Sequence, residues 1–318
     1  MNRVLAIVVA STAALALASE VRAQTANRDA PSAADDADRR GPPAPASPAS
    51  GPPAPASGPP VGAPDDRPPA APPDLFVAPT ARLLPAGAVY ARAGVDTGGG
   101  IAIGARVGLG DVAEFGLATT DLIRHTTDGG EPNHVQPYVL AAFKMGVREH
   151  LIFPHQPALA IEFRKSFEHE IAGRATRVAA LQLTATKHLG SRVAVHAGAV
   201  VWDASVRRDD GTEFALHERP IRRQLRGYGG VEVAAAPRAQ IGVDLYWVPQ
   251  FDLTDARDDV VLAPSLAWGV RYRATRAVQF ESGVRLPDVR DVNLLEAQIF
   301  GRVAIATDRA RAWLARRR

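Results

Sequence analysis

Between residues 87 and 306 apolar and polar side chains alternate one for one. In VQPYVLAAFKMGV, Val139, Phe143, Met145 and Val147 fall on one parity and Lys144 and Arg148 on the other. The stretches at 181–187 and 192–202, VLAPSLAWGVRYR and LLEAQIFGRVAIA repeat the pattern. A period of two is that of a pleated strand with two unlike faces. It predicts strands over 87–96, 99–109, 112–122, 134–147, 157–167 and 175–187. It predicts others over 192–207, 222–235, 238–250, 260–273, 276–286 and 292–306. These are about twelve, each near the nine to eleven residues that a tilted membrane strand needs. No comparable stretch has helical periodicity, so the body is expected to be all-β.

Alternation alone does not say which face meets water. It fits a soluble sandwich or barrel with apolar faces inward, and a membrane barrel turned the other way. The connections favour the second. Short reversals at 108–111, 188–192, 236–238 and 274–276 alternate with longer polar ones at 124–134, 168–174, 207–220, 251–259 and 287–293. Up-and-down strands with turns on one membrane side and loops on the other have this rhythm. The connections at 96–100 and 148–156 break it. The polar parity carries Lys144, Glu162, Arg164, His196, Glu232, Asp244, Arg271, Glu281, Arg285, Glu296 and Arg302 in mid-strand. In a lumen such opposed charges can pair across the bore, so these residues are predicted to line it.

The units TATKHLGSRVAVHAG, GVEVAAAPRAQIGVDLYW and LAWGVRYRATRAVQFESGVRLP resemble the strand-turn-strand repeats of Gram-negative outer-membrane β-barrel proteins. The resemblance covers 75–306 and implies an antiparallel up-and-down barrel of about twelve strands in outer-membrane lipid, both ends in the periplasm. Members commonly end on an aromatic residue that aids assembly. Here a basic tail over 307–318, with Trp313 and three closing arginines, follows the last strand instead.

Ahead of the body the composition changes twice. Residues 1–23 have a positive charge at Arg3, an apolar run from Val4 to about Leu17, and Val21-Arg22-Ala23 before Gln24. This is expected to be a signal peptide, since the run is short for a spanning helix. Residues 24–74 repeat GPPAPAS and hold little that could be buried. A disordered Pro/Ala/Gly-rich linker is expected, able to offer a periplasmic partner a proline-rich segment. The formal charge of +3 is local to the signal and the tail, and export argues against nucleic acid as a partner. There is no cysteine, hence no disulfide or thiolate metal site.

Searching for chemistry finds little. None of the eight histidines falls in an HExxH pattern. His125 and His134 could face each other across a loop neck, but solvated loop histidines are the simpler account. Gly104–Gly110 is glycine-rich but precedes no helix, so it cradles no phosphate. The acidic loops lack calcium spacing. There is no GxSxG, and Ser166, Ser205, Ser265 and Ser282 lie far in sequence from any histidine. No cofactor, catalytic residue or metal ligand is assigned. The expectation is a barrel acting in passive pore-like transport or as a surface scaffold with a periplasmic tether. The alternatives are an outer-membrane lipid or peptide hydrolase, and a soluble exported binding module.

Overall fold

The computed structural model describes residues 71–127, 137–171, 173–254, 258–290 and 294–307. Fifteen strands run along these: β1 (Val89–Asp96), β2 (Ile101–Leu109), β3 (Ala113–Thr120), β4 (Arg124–Thr127), β5 (Tyr138–Val147), β6 (Ala158–Ser166), β7 (His169–Ile171), β8 (Arg174–Leu189), β9 (Val193–Arg208), β10 (Glu213–Ala215), β11 (Leu225–Ala236), β12 (Ala239–Leu253), β13 (Asp258–Arg273), β14 (Val278–Leu286) and β15 (Gln298–Thr307). Twelve of them form a ring of antiparallel neighbours, in the order β1-β2-β3-β5-β6-β8-β9-β11-β12-β13-β14-β15 and back to β1. Closure leaves the ring no open edge, so its ladders satisfy the backbone without water. Among the described residues no helix is long and apolar enough to cross a membrane; the strands do so.

The faces settle which solvent lies outside. Phe143, Met145, Leu183, Ile241, Ile299 and Ile305 are exposed, while Lys144, Glu162, Asp244, Glu281 and Arg302 on the opposite parity are buried. A soluble barrel would have the reverse. The apolar exterior is a hydrocarbon-facing belt. Leu183, 59% exposed on β8, tests this directly. Leu183→Arg is expected to destabilise the barrel in lipid vesicles by about 2–4 kcal/mol, the cost of arginine near the bilayer midplane. In a protein with a wet exterior the same change would be neutral by urea titration.

Because the strand number in the ring is even, the start of β1 and the end of β15 share one rim; short turns lie on that rim and longer loops on the other, the short β1–β2 and long β5–β6 connections being the exceptions. β8, β9, β12 and β13 are the tallest strands, and on their loop side the faces exchange character. On β9 the outward series Val195, Ala197, Ala199, Val201 becomes Asp203, Ser205, Arg207. Inward, His196 gives way to Val200, Trp202, Ala204 and Val206, all buried. Above the belt the wall is therefore an ordinary water-facing β-structure around an apolar core, which Val178, Tyr246, Val248, Phe251 and Leu253 join.

That core is roofed. β11 begins only at Leu225, level with Val201 of β9, so nothing from it lies beside the upper end of β12. β4 fills the place, pairing in parallel with Gln250–Leu253. To do so, the chain leaving β3 reaches a strand six places away around a ring of twelve, diametrically opposite. Arg174 and Arg208 then draw the tops of two hairpins together: both bond Asp258 (2.8 and 2.5 Å) and the carbonyl of Thr254.

Candidate functional site

The stretch 71–88, which the sequence divides between linker and barrel, runs inside the bore. Pro73–Thr80 makes a tight reversal: Leu75 N donates to Ala78 O (2.8 Å), and Thr80 donates to Pro73 O through both its N and its Oγ1. Leu75, Phe76, Val77 and Ala78 at its tip are buried, with the Phe76 ring 5.4 Å from that of Phe300. Leu84 N then bonds Glu114 and Ala86 N bonds Asp111, returning the chain to the turn side and into β1. The wall makes room by omitting side chains. A Cβ on Gly230 would lie 2.5 Å from Leu75 Cδ1, and one on Gly108 would lie 2.1 Å from Pro85 O.

The backbone groups of a buried hairpin need partners, and the wall charges supply them. Asp244 Oδ2 accepts from Val77 N and Ala78 N at 2.8 Å each. Arg302 donates to Phe76 O (2.6 Å), Arg271 to Asp74 O (3.1 Å) and Lys144 to Pro73 O (3.2 Å). Side chains of the segment complete the set: Asp74 pairs with Arg106 (2.9 Å) and Arg164 (3.2 Å), and Arg82 with Glu232 (2.5 Å).

The remaining lumen charges bind one another. Glu162 bonds Arg106 and Arg164. Arg271 bonds Glu281 at 2.9 Å and also Glu232. Nearer the loop side Arg285 joins Asp96 (2.5 Å), Asp121 (2.8 Å) and Gln298. His196 Nδ1 meets Thr186 Oγ1 at 2.9 Å, and its Nε2 lies 3.5 Å from Glu232. Ten of the eleven residues predicted to line the lumen thus turn to the interior, Arg285 in a cluster of its own with Asp96, Asp121 and Gln298. Glu296 does not: the last strand opens at Gln298, leaving Glu296 exposed in the turn Leu294–Glu296. The alternating pattern of the sequence continues back through 294–296, where the chain forms a short 3-10 helix and not a strand. Asp74, Arg82, Asp96, Arg106, Glu114 and Asp121 belong to the same interior and were not singled out in the sequence. The parity of Arg106 and Glu114 within β2 and β3 was a signal available for those two.

Burial by itself would raise the Asp74 carboxyl, but Arg106, Arg164 and Lys144 hold it well below the usual carboxylate range. Its contribution is therefore fully present above the unfolded value of about 3.9 and is lost only as pH falls through the lower folded value. Acidification to pH 5 is expected to leave the segment docked. Asp74→Asn, which removes the charge at every pH, is expected to speed hydrogen exchange over 73–84. Equal exchange in the two proteins would show that the ion pairs do not hold it.

A cavity of about 80 Å³ remains between the segment and the wall of β1–β3, lined in part by Asp74, Arg92, Arg106, Arg164 and Arg302. That is room for a few waters. His134 lies outside the described residues; His125 is buried on β4. Among the described residues no three potential ligands gather as a metal site.

Closure, a hydrocarbon-facing exterior and a self-paired charged interior define a transmembrane β-barrel of the outer-membrane type, and the outer membrane is its location. No protein-family model matches the sequence, and no curated protein does. Solved structures share the barrel at low similarity. The KdgM porin in complex with disordered oligogalacturonate is 7% identical, covering 69% of this chain and 97% of that one, with a TM-score of 0.38. The Acinetobacter baumannii outer membrane protein Omp33 is 6% identical over the same shares, with a TM-score of 0.35. The translocator domain of the autotransporter NalP from Neisseria meningitidis is 12% identical, covering 69% and 87%, with a TM-score of 0.33. Likenesses of this size carry no argument about activity.

Proposed function

We propose that this protein is a closed outer-membrane scaffold. In this reading the barrel anchors the chain, the turn-side segment connects it to the periplasm through the proline-rich linker, and the tall loop-side strands present a folded surface outside. The observation that carries the reading is the hairpin seated in the bore. A passive pore needs a hydrated path; here Pro73–Thr80 stands in it with backbone and charges matched by the wall. Recording from the full-length protein in planar bilayers tests it. Silence at moderate voltage is the expected result, and a steady open level would replace the scaffold with a passive pore.

One observation favours a second reading, a stoppered conduit. The two arms of the hairpin lie side by side at Pro73 and Thr80 and the chain leaves on the turn side, so in this reading it withdraws without unthreading the barrel. Sustained conductance after mild urea, reversed on washing, is the result that this reading expects. The hydrolase alternative meets a hydroxyl–imidazole–carboxylate set in Thr186, His196 and Glu232. Thr186 is fully buried, however, and its Oγ1 already accepts from Ala81 N. A nucleophile must reach substrate, so the set is read as part of the docking wall.

A further inference from the structure

The loop-side edge of the apolar belt can be located rung by rung. On β9 the last outward apolar residue is Val201, followed by Asp203. Leu225 pairs with Val201, so it lies on the same rung. On β12 the last outward apolar residue before Gln250 and Asp252 is Trp247, whose Nε1 bonds Gly227 O at 2.9 Å. Leu225 and Trp247 therefore sit at the upper limit of hydrocarbon, and Ile221–Arg223, a short 3-10 helix, is separated from Leu225 by Gln224 alone.

Three arginines, Arg222, Arg223 and Arg226, fall within five residues of chain at this level. The Arg226 guanidinium lies 5.0 Å above the Trp247 ring and its Nη1 donates to the carbonyls of Arg222 and Leu225. Arg222 and Arg223 are exposed, and among the described residues no carboxylate pairs with any of the three. The nearby acids are otherwise engaged or apart: Asp203 holds His217 (3.1 Å), Asp259 holds Arg219 (2.7 Å), and Glu218 faces solvent on the preceding helical turn. Ile221 and Leu225 are exposed beside them. Three cations close together in the chain, without a carboxylate partner among the described residues and next to an aromatic ring and exposed apolar side chains, match an amphiphile whose head is phosphorylated.

We infer that Arg222, Arg223 and Arg226, with Trp247 and Leu225, form a binding site for the phosphorylated headgroup of an outer-leaflet lipid. The guanidinium forks take the phosphate oxygens in bidentate fashion, and the apolar pair accepts the first carbons of an acyl chain. The site concerns the exterior of the barrel and is independent of whether the bore conducts.

The test uses the full-length protein in detergent micelles, titrated with diphosphoryl lipid A and with the same lipid after dephosphorylation, binding being read by native mass spectrometry. The wild-type protein is expected to prefer the phosphorylated lipid. Arg222→Gln/Arg223→Gln/Arg226→Gln is expected to weaken it by about tenfold or more, given roughly a factor of five for each basic residue near an anionic surface. Arg222→Gln/Arg223→Gln, which alters only exposed side chains, is expected to keep the fold and lose part of the affinity. Inorganic phosphate at millimolar concentration is expected to compete poorly. Equal binding of the two lipids, unchanged binding by both variants, or full displacement by phosphate alone would each overturn the assignment.

Discussion

Removing residues 72–83 and bridging the gap with a short Gly-Ser linker is expected to turn a silent barrel into a conducting one. The change is topologically mild, because Pro73 and Thr80 lie side by side and the chain leaves on the rim where β1 begins. What it removes is a set of matched partners. Asp244, Arg302, Arg271 and Lys144 each lose a backbone group, and Arg106 and Arg164 lose Asp74. Buried charges without partners are costly in a dry interior, so water enters to replace the hairpin. Twelve strands lie between the eight that side chains can fill and the sixteen or more of open porins. The expected readout is discrete single-channel steps in planar bilayers, absent from the full-length protein. Should the deletion fail to assemble, Asp74→Arg with Arg82→Glu reverses both charges of the hairpin while retaining its length, and is expected to give intermittent openings. Identical silence from a folded deletion would mean that the loop-side roof, not the hairpin, closes the barrel.

Arg271→Ala is expected to cost about 3–5 kcal/mol, the penalty for leaving a buried charge without its partner. Arg271 is 3% exposed and serves three elements at once: Glu281 across β13–β14, Glu232 on β11, and the Asp74 carbonyl of the hairpin, with its guanidinium 5.4 Å from the Phe76 ring. Truncation strands two carboxylates. Pairing the change with Glu281→Gln removes one of them, so Arg271→Ala/Glu281→Gln is expected to recover part of the loss. Urea titration of vesicle-folded protein, followed by tryptophan fluorescence, measures both. A double variant no more stable than the single one would show that the two residues act independently.

The period-two pattern located the twelve ring strands because a half-buried strand must alternate, whichever solvent lies outside. Val139, Phe143 and Met145 announce β5 as plainly in lipid as they would in water. Inversion was legible from a different property, the mid-strand charges such as Glu162, Glu281 and Arg302, which need partners. The hairpin was not legible. PPDLFVAPTARLLPAG has no period and follows a proline-rich stretch, so nothing local separates an ordered plug from the end of a linker; only the distant Asp244 and Arg302 give its backbone a home. β4 escaped notice for a similar reason, since its partner on β12 lies across the barrel. The exchange of faces at Val201 and Asp203 was present in the pattern, but each strand carries too few residues above the belt to declare a second regime.

That exchange sets the draught of the molecule. Pushing the barrel one rung deeper would drown Asp203 and Asp252 in oil, and lifting it would strand Trp247 and Leu225 in water, so its height is fixed to within about two residues, or roughly 7 Å. The same asymmetry gives insertion a direction. With the turn side toward the periplasm, as the proposed function has it, the wet-sided upper storey would cross the bilayer first and then act as a float against slipping back.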